Sequence, residues 1–152
     1  MTTDVFIASL SPGAIAASRV SGVPAAVIVA QAALESAWGT SRLARSGHNL
    51  FGVKAGQSWK GLTLDMPTRE FYAGKWVTVI AHWRKYADVG ACLADHGAFL
   101  RQNPRYKLCF ETTTPEDFAR ALQAAGYATD PRYAEKLCRI IRIHRLEQLG
   151  EA

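Results

Sequence analysis

The sequence has few cysteines and none of the spacings that bind metal ions. Its three cysteines form an odd set, which excludes a complete disulfide framework. We expect Cys92, Cys109 and Cys138 to be small buried side chains, with one disulfide as the alternative. The four histidines are scattered and no HExxH motif is present. The sequence therefore predicts no metal site and no cofactor, and it disfavours a zinc amidase.

Several other signals are missing. No GxSxG motif is present and no cysteine is clearly paired with a histidine, which argues against a nucleophilic peptidase. No nucleic-acid-binding motif is found. The apolar run from Val20 to Leu34 is too short to span a membrane, so we expect a buried helix and no stable membrane insertion. Asp4 occupies the position where a secretory signal would carry positive charge, so we expect no Sec signal and synthesis in the cytoplasm.

The composition is that of a folded protein. Apolar residues make up 49% and charged residues 20% of the 152 residues, and no repeat or linker is visible. We therefore expect a single domain over 1–152, of a size that can hold a catalytic site, and a monomer. The net charge of +5 favours an anionic partner, such as a nucleic acid, a membrane surface or a cell-wall polymer. Charge alone does not choose among them. The basic run RIIRIHR has helical periodicity and is interpreted as a solvated helix face.

Helix start and stop residues divide the chain into several helices. Ser11-Pro12 predicts a short helix to about Val20, because serine caps a helix and proline suits its first turn. Pro24 opens an apolar helix that we expect to end at Gly39, with Glu35 in its last turn. Three later starts are predicted in the same way: Asp88 to about Leu100, Thr114-Pro115 to Gly126, and Asp130-Pro131 towards Leu149.

One segment has a strand pattern. From Lys60 to Tyr86 the chain is rich in threonine, valine and aromatic residues around Ala73-Gly74, which predicts a β-hairpin with its turn at that pair. The expected fold is therefore α+β: mostly helical, with one small hairpin.

Glu35 is an acid at the end of an otherwise uncharged helix. Leu34 and Trp38 beside it are apolar, so we expect its carboxyl group to border the core. Loss of water raises the pKa of a carboxyl group, and the negative end of a helix raises it further. Such a group can hold a proton near neutral pH and act as a general acid. The alternative is a surface glutamate that happens to follow an apolar face.

The hairpin offers a second carboxylate. Glu70 and Asp65 are the candidates, and Glu70 is favoured because strand alternation can direct it across a groove towards the helix end. Two carboxylates across a groove are typical of enzymes that cleave glycosidic bonds. A cross-strand ion pair of Glu70 with Lys75 or Lys60 is the simpler alternative. The many aromatic residues include candidates for stacking on sugar rings, although most should be core.

Several motifs, in this order and spacing, resemble those of one family. They are FIASLSPGAIAASRVSGVPAAVIVAQAALESAWG, HNLFGVKAGQSWKG, NPRY and AGYATDPRYAEKL. Together they cover nearly the whole chain and resemble the glucosaminidase domain of glycoside hydrolase family 73, which includes the flagellar rod-cap peptidoglycan hydrolase and many autolysins. Ala37 departs from the glycine commonly found before the tryptophan in this family.

The resemblance implies a lysozyme-like fold and cleavage of the β-1,4 bond after N-acetylglucosamine in peptidoglycan. It places the catalytic acid at Glu35 and, through TREF, the second carboxylate at Glu70. The residues that it implies for substrate binding are Trp38, Asn49, Phe51, Gly52, Lys54, Tyr106, Tyr127 and Tyr133. A lytic transglycosylase or muramidase of the same fold, and a catalytically silent wall-binding module, are the alternatives.

The route to the substrate is a separate expectation. Without a Sec signal, a wall hydrolase would act in the periplasm or cell wall after delivery by a phage holin or by an injection apparatus such as a type VI secretion system. An injected antibacterial toxin would imply a periplasmic immunity protein that occupies the cleft. The sequence does not choose between these routes.

Overall fold

A computed structural model describes residues 2–150 of the chain. The helices are α1 (Thr3–Ser21), α2 (Ala25–Glu35), α3 (Arg42–Gly47), α4 (Val89–Gln102), α5 (Pro115–Ala124) and α6 (Tyr133–Ile143). Two strands, β1 (Thr63–Tyr72) and β2 (Lys75–Arg84), lie between α3 and α4. Short 3₁₀ helices cover Pro104–Glu111 and Leu146–Gln148. The predicted α+β architecture, helical with one small hairpin, is confirmed.

Helix α2 forms the centre of the core. Every residue from Ala25 to Ala33 is buried, including one amide, Gln31. Helices α1, α5 and α6 pack against α2, and α4 packs against α1. A helix that is apolar all round needs neighbours on all sides, and the surrounding helices supply them.

The prediction for the first helix was wrong about its start. Helix α1 begins at Thr3, whose preceding residue Thr2 accepts a hydrogen bond from the backbone of Val5, and Pro12 lies in its interior. Proline there removes one backbone hydrogen bond. The helix continues through it because Phe6 and Leu10, before the proline, are buried in the same core as the residues after it.

The second helix begins as predicted but ends earlier. Pro24 is its cap, and Glu35 is its last residue rather than one turn before the end. The predicted stop, Gly39, follows after a turn instead of closing the helix. Its φ of 79° is in the left-handed region, where glycine is favoured.

The later helix starts are confirmed. Asp88 and Thr114 each accept a hydrogen bond from the first turn of the helix that follows. Helix α6 begins at Tyr133, just after the predicted Asp130-Pro131, and ends at Ile143. The predicted continuation to Leu149 is interrupted because Arg145 has a left-handed φ of 52°. Helix α3 and the 3₁₀ helix over Pro104–Glu111 were not predicted.

The hairpin is confirmed, with its turn at Ala73-Gly74. Strands β1 and β2 are antiparallel, and Thr63 pairs with Arg84 at one end and Tyr72 with Lys75 at the other. Nearly all of its side chains are exposed or half-buried, and Ala81 alone on either strand is buried. The hairpin is therefore a ribbon that extends from the helical body.

The cysteines carry no cross-link in the described chain. Cys92 and Cys109 are buried and Cys138 is half-buried, and all three are free. The interpretation as small core side chains is confirmed for the first two. No helix within residues 2–150 has the length and apolar character needed to cross a membrane.

Candidate active site

Glu35 lies where α2 ends in a tight turn. Ser36 stabilises this turn: its Oγ bonds to the carbonyl of Ala32 and accepts the backbone N–H of Gly39 at 2.8 Å. The backbone N–H of Trp38 donates to the carbonyl of Ala33 at 2.8 Å. These bonds satisfy groups that the helix end would otherwise leave unpaired, and they fix the direction in which Glu35 leaves the helix.

The turn after Glu35 has an unusual backbone. Ala37, Trp38 and Gly39 have φ values of 50°, 58° and 79°, all in the left-handed region. This conformation costs about 1–2 kcal/mol for a residue other than glycine. The structure therefore accepts strain next to the acid, which is common at functional sites.

The surroundings of the Glu35 carboxyl group are less dry than the sequence suggested. The residue as a whole is exposed, so solvent and a large substrate can reach it. Nevertheless, the protein atoms around the carboxyl group exclude enough water to raise its pKa above the ordinary value. A hydrogen bond donated by the hydroxyl of Tyr133, at 3.1 Å, opposes this rise. Glu35 is accessible and also suited to hold a proton.

Three of the predicted binding tyrosines form a row behind Glu35. Tyr133 stacks on Tyr127 with 5.6 Å between ring centroids, and Tyr127 is tilted against Tyr106 at 6.0 Å. Tyr106 and Tyr133 are buried and Tyr127 is half-buried. Tyr133 thus contacts the acid itself, while Tyr106 has a place in the core.

In the loop that follows α3, two of the predicted residues are buried and two are exposed. Asn49 is buried, and its amide donates to the carbonyls of Val53 and Arg84 while accepting the N–H of Val53. Phe51 is buried and stacks on His96 at 3.7 Å. Both side chains therefore act through the fold of the loop rather than by touching a substrate.

Gly52 and Lys54 are the exposed positions of the same loop. Gly52 has a φ of 66°, a turn conformation that favours glycine. Lys54 lies beside the hairpin, with its Nζ 3.5 Å from Oε1 of Glu70 and 5.6 Å from the ring centroid of Trp83. The loop therefore connects the body to the second carboxylate.

Strand alternation separates Glu70 from Asp65. The half-buried positions of β1 are Leu64, Met66 and Thr68, and Glu70 continues this series on the same face. Asp65 is on the opposite face, where it bonds to its cross-strand partner His82 at 2.7 Å. This bond lowers the pKa of Asp65. Glu70 is thus the carboxylate on the strand face whose earlier residues are half-buried.

The base of the hairpin is fastened to α4. Arg84, the last residue of β2, donates to Asp95 at 2.7 Å, and the hydroxyl of Tyr86 donates to the same carboxylate oxygen at 2.6 Å. Arg84 also lies over the ring of Trp59 at 4.8 Å. These contacts hold the base of the hairpin against α4. Neither Arg84 nor Asp95 was among the predicted site residues.

Trp38 has a packing role in the structure. It is half-buried, and its ring meets Phe6 edge-on at 5.6 Å and His144 at 5.1 Å. These contacts hold the turn after Glu35 against α1 and the end of α6.

The predicted site residues thus form two groups. Glu35 and the three tyrosines belong to the helical body, whereas Glu70 and Lys54 meet at the hairpin. Within residues 2–150 no hydrogen bond or ion pair joins the two groups. In the same part of the chain, no three histidine, cysteine, aspartate or glutamate side chains gather as metal ligands would.

Sequence reasoning missed two buried polar residues behind the acid. Gln31 is fully buried and His96 is 3% exposed. Gln31 donates to the hydroxyl of Tyr133 at 2.9 Å, and its carbonyl oxygen lies 2.8 Å from Nε2 of His96. The signal for Gln31 was available, because it is the one amide in the apolar run and precedes Glu35 by one helical turn.

Comparison with known proteins identifies the family. The profile of the glucosaminidase family, described as mannosyl-glycoprotein endo-beta-N-acetylglucosaminidase, matches residues 11–146. The chain belongs to this glucosaminidase family. The resemblance of its motifs to that family is thereby confirmed.

The chain is similar to curated members of the glucosaminidase family. It is 46% identical over 141 residues to the peptidoglycan hydrolase FlgJ of Salmonella typhimurium, covering 90% of this chain and 45% of that protein. It is 40% identical over 152 residues to the exo-glucosaminidase LytG of Bacillus subtilis, covering 97% of this chain and 53% of that protein. The chain therefore spans about half the length of these relatives.

The fold is also shared with a solved structure. A C-terminally truncated glycoside hydrolase domain of Salmonella typhimurium FlgJ superposes with a TM-score of 0.83 at 44% identity, covering 95% of this chain and 98% of that one. The expected lysozyme-like fold of this family is confirmed.

Proposed function

We propose that the chain is a peptidoglycan hydrolase that cleaves the β-1,4 bond after N-acetylglucosamine. The observation that carries the proposal is the carboxyl group of Glu35: it is open to a large substrate, its pKa is raised by the surrounding protein, and Tyr133 holds it by a hydrogen bond. Membership of the glucosaminidase family and the peptidoglycan hydrolases among its relatives support the choice of substrate.

Each carboxyl group has a separate task in the proposed reaction. Glu35 gives its proton to the glycosidic oxygen as the bond from that oxygen to C1 breaks, and positive charge develops on the sugar. A water molecule then forms the new bond to C1. Glu70 either accepts the proton of that water or stabilises the charge while Glu35, now deprotonated, accepts that proton. The N-acetyl group of the substrate is a further source of assistance.

The hairpin geometry supports Glu70 over Asp65 for the second task. Glu70 is on the same strand face as the half-buried residues of β1, and Nζ of Lys54 is 3.5 Å from its carboxylate. Asp65 is already bonded to His82 on the other face. Tyr127 and the exposed loop at Gly52 remain the proposed substrate contacts, and glycan strands bound by a monomer remain the proposed partner.

Analysis of the digestion products tests the proposal. Purified protein should release muropeptides with reducing N-acetylglucosamine ends from isolated cell walls, as measured by mass spectrometry after borohydride reduction. Anhydromuramic ends would identify a lytic transglycosylase, and reducing muramic ends a muramidase. No soluble product at all would mean a silent wall-binding module. Any of these three results contradicts the proposed reaction.

The site of action is tested by expression in two compartments of a Gram-negative cell. We expect lysis when an added signal sequence directs the protein to the periplasm, and no lysis when it stays in the cytoplasm, because peptidoglycan is present only in the first. Glu35→Gln in the periplasm is the control for catalysis. Protection by a small periplasmic protein from the same source would support the injected-toxin role, and lysis without such a protein would support a phage lysin.

A further inference from the structure

Three buried side chains lead in series to the carboxyl group of Glu35. His96 on α4 approaches the side-chain oxygen of Gln31 with Nε2 at 2.8 Å. The side-chain nitrogen of Gln31 donates to the hydroxyl oxygen of Tyr133 at 2.9 Å. The hydroxyl of Tyr133 donates to Oε1 of Glu35 at 3.1 Å. The series thus crosses from α4 through α2 to α6 and back to the end of α2.

The chemistry of the amide gives the series a direction. The nitrogen of Gln31 can only donate, so the hydroxyl oxygen of Tyr133 accepts there and its own proton is free for Glu35. The oxygen of Gln31 can only accept, so Nε2 of His96 must carry a proton. Burial lowers the pKa of His96 to about 3, which leaves a neutral ring with that single proton. All three hydrogen bonds therefore point towards Glu35, an arrangement in which each bond polarises the next.

The tyrosine and cysteine side chains at this series keep their protons at neutral pH. Tyr127 stacks on Tyr133 and its pKa is raised by burial, as is that of Tyr133 itself. Burial also raises the pKa of Cys92 to about 12. Asp95, next to His96, is held by Arg84 and Tyr86. Among Glu35, Tyr127, Tyr133 and Cys92, Glu35 alone has a pKa shifted towards neutrality.

We infer that Gln31 and His96 are positioning residues for the acid: they orient the hydroxyl of Tyr133 so that its proton always faces Oε1 of Glu35. The inference rests on the proposed role of Glu35 as the general acid. Because Oε1 is engaged by Tyr133, the transferable proton of Glu35 is placed on Oε2, the oxygen left for the substrate. Without the ring of His96 donating, Gln31 can rotate its amide and accept the hydroxyl proton itself.

A matched pair of variants at His96 separates the donor from the ring. His96→Phe keeps an aromatic ring against Phe51, where His96 stacks at 3.7 Å, but removes the donor. His96→Gln removes the ring but keeps an N–H donor near the position of Nε2. The measurement is the pKa of Glu35 by carbon-13 NMR of the labelled carboxyl group, assigned with Glu35→Gln. Thermal unfolding of each variant verifies that it is folded.

Loss of a hydrogen bond to the charged form raises the pKa of a carboxyl group. We expect His96→Phe to raise the pKa of Glu35 by about 1, in line with the strength of hydrogen bonds to charged groups, and His96→Gln to leave it close to wild type. Gln31→Leu should act like His96→Phe and replaces it if the latter does not fold. The alkaline limb of the pH profile for wall digestion should move to higher pH by the same amount.

A double-mutant cycle tests whether the effect passes through Tyr133. Tyr133→Phe alone should raise the pKa of Glu35, and adding His96→Phe should raise it no further. Folded His96→Phe with an unchanged pKa of Glu35, an effect reproduced by His96→Gln, or additive shifts in the double variant would each overturn the inference.

The NMR titration also separates this inference from the proposed function. If the pKa of Glu35 moves as expected but Glu35→Gln still digests cell walls, then Glu35 is not the acid and the proposed function fails, while the orientation of Tyr133 stands. If Glu35→Gln is inactive but the pKa of Glu35 does not respond to the variants, the inference fails and the proposed function stands.

Discussion

The helical body and the hairpin hold their carboxylates in opposite ways. In the body, Glu35 ends a helix that is buried from Ala25 to Ala33, and it is bonded to Tyr133, which is itself held by buried Gln31. On the hairpin, Glu70 is on an exposed ribbon, and its contact with Lys54 is a surface ion pair at 3.5 Å. Such pairs contribute little stability, about 0–1 kcal/mol. Glu35 therefore has a fixed place, whereas the position of Glu70 depends on where the hairpin lies.

Removal of the proton donor should have the largest effect on activity. Glu35→Gln keeps the size and polarity of the side chain and can still accept the hydrogen bond from Tyr133, but it has no proton to transfer. We expect wall digestion to fall by about 10²–10⁴-fold, the range of general acid catalysis. Release of soluble muropeptides over time is the measurement, with circular dichroism as the control for folding. Activity within about threefold of wild type would be too high for loss of a general acid.

Truncation of apolar side chains should distinguish the two regions by stability. Phe118 is 1% exposed and part of the core, so Phe118→Ala should reduce the free energy of unfolding by about 3–5 kcal/mol. Ile80 is 58% exposed on the hairpin, so Ile80→Ala should change it by about 0.5 kcal/mol or less. Urea unfolding measures both. A large loss from Ile80→Ala would mean that the hairpin is more closely integrated than its exposure indicates.

Substitution of the hairpin carboxylate should reduce the rate strongly, but at the lower end of the same range. Glu70→Gln should cost about 10²-fold in wall digestion, because an exposed base is more easily replaced by solvent. Asp65→Asn is the matched control on the opposite face and should retain most activity. Equal losses from the two variants would remove the reason for choosing Glu70.

A separate measurement on the wild-type protein determines how the new bond to C1 forms in the proposed reaction. Carboxyl groups about 5–5.5 Å apart suit a retaining nucleophile, and those about 6.5–9.5 Å apart leave room for an activated water molecule. We expect the wider spacing, because a carboxylate on an exposed ribbon is poorly fixed for direct attack. NMR of the first anomer formed is the measurement, and a retained β product would contradict the inverting reaction.

The smallest expected effect is on stability as a function of pH. Glu35 has a higher pKa in the folded protein than the ordinary 4.5, so the folded state binds more protons and loses stability as pH rises from about 4.5 through the folded pKa. Glu35→Gln lacks this loss. Its melting temperature should therefore equal that of wild type near pH 4 and exceed it slightly at pH 7, as measured by calorimetry. A wild type that is more stable than the variant at pH 7 would contradict the raised pKa.

Much of the fold was predictable because it depends on local rules. Asp88 and Thr114 cap their helices, and Ala73-Gly74 makes the turn of the hairpin, as their residue types indicate. The start of α1 was not predictable in this way. Local chemistry favours a helix start at Pro12, but burial of Phe6 and Leu10 in the shared core overrides it.

The candidate site was predictable only in part. Glu35 stands out in the sequence as a lone acid after an apolar run. The hydrogen bond to its carboxyl group comes from Tyr133, which is far away along the chain, and His96 is linked to Tyr133 only through Gln31. Asn49 and Phe51 matched family positions, but burial shows that they support the loop. Sequence patterns reveal which residues are unusual, not which of them reach the solvent.

The hairpin is bonded to the helical body at its base, so a small rotation there gives a larger displacement at Glu70. Its base is fixed by Arg84 on Asp95 and by Leu64 near Gly47, whereas Glu70 is six residues further along β1. At the rise of a β-strand, six residues correspond to a lever arm of about 20 Å, so a rotation of about 5° at the base moves the carboxylate by about 2 Å. That displacement is comparable to the difference between the spacings of the two stereochemical mechanisms. In the proposed reaction, the angle of the ribbon therefore decides which of these spacings separates Glu35 from Glu70.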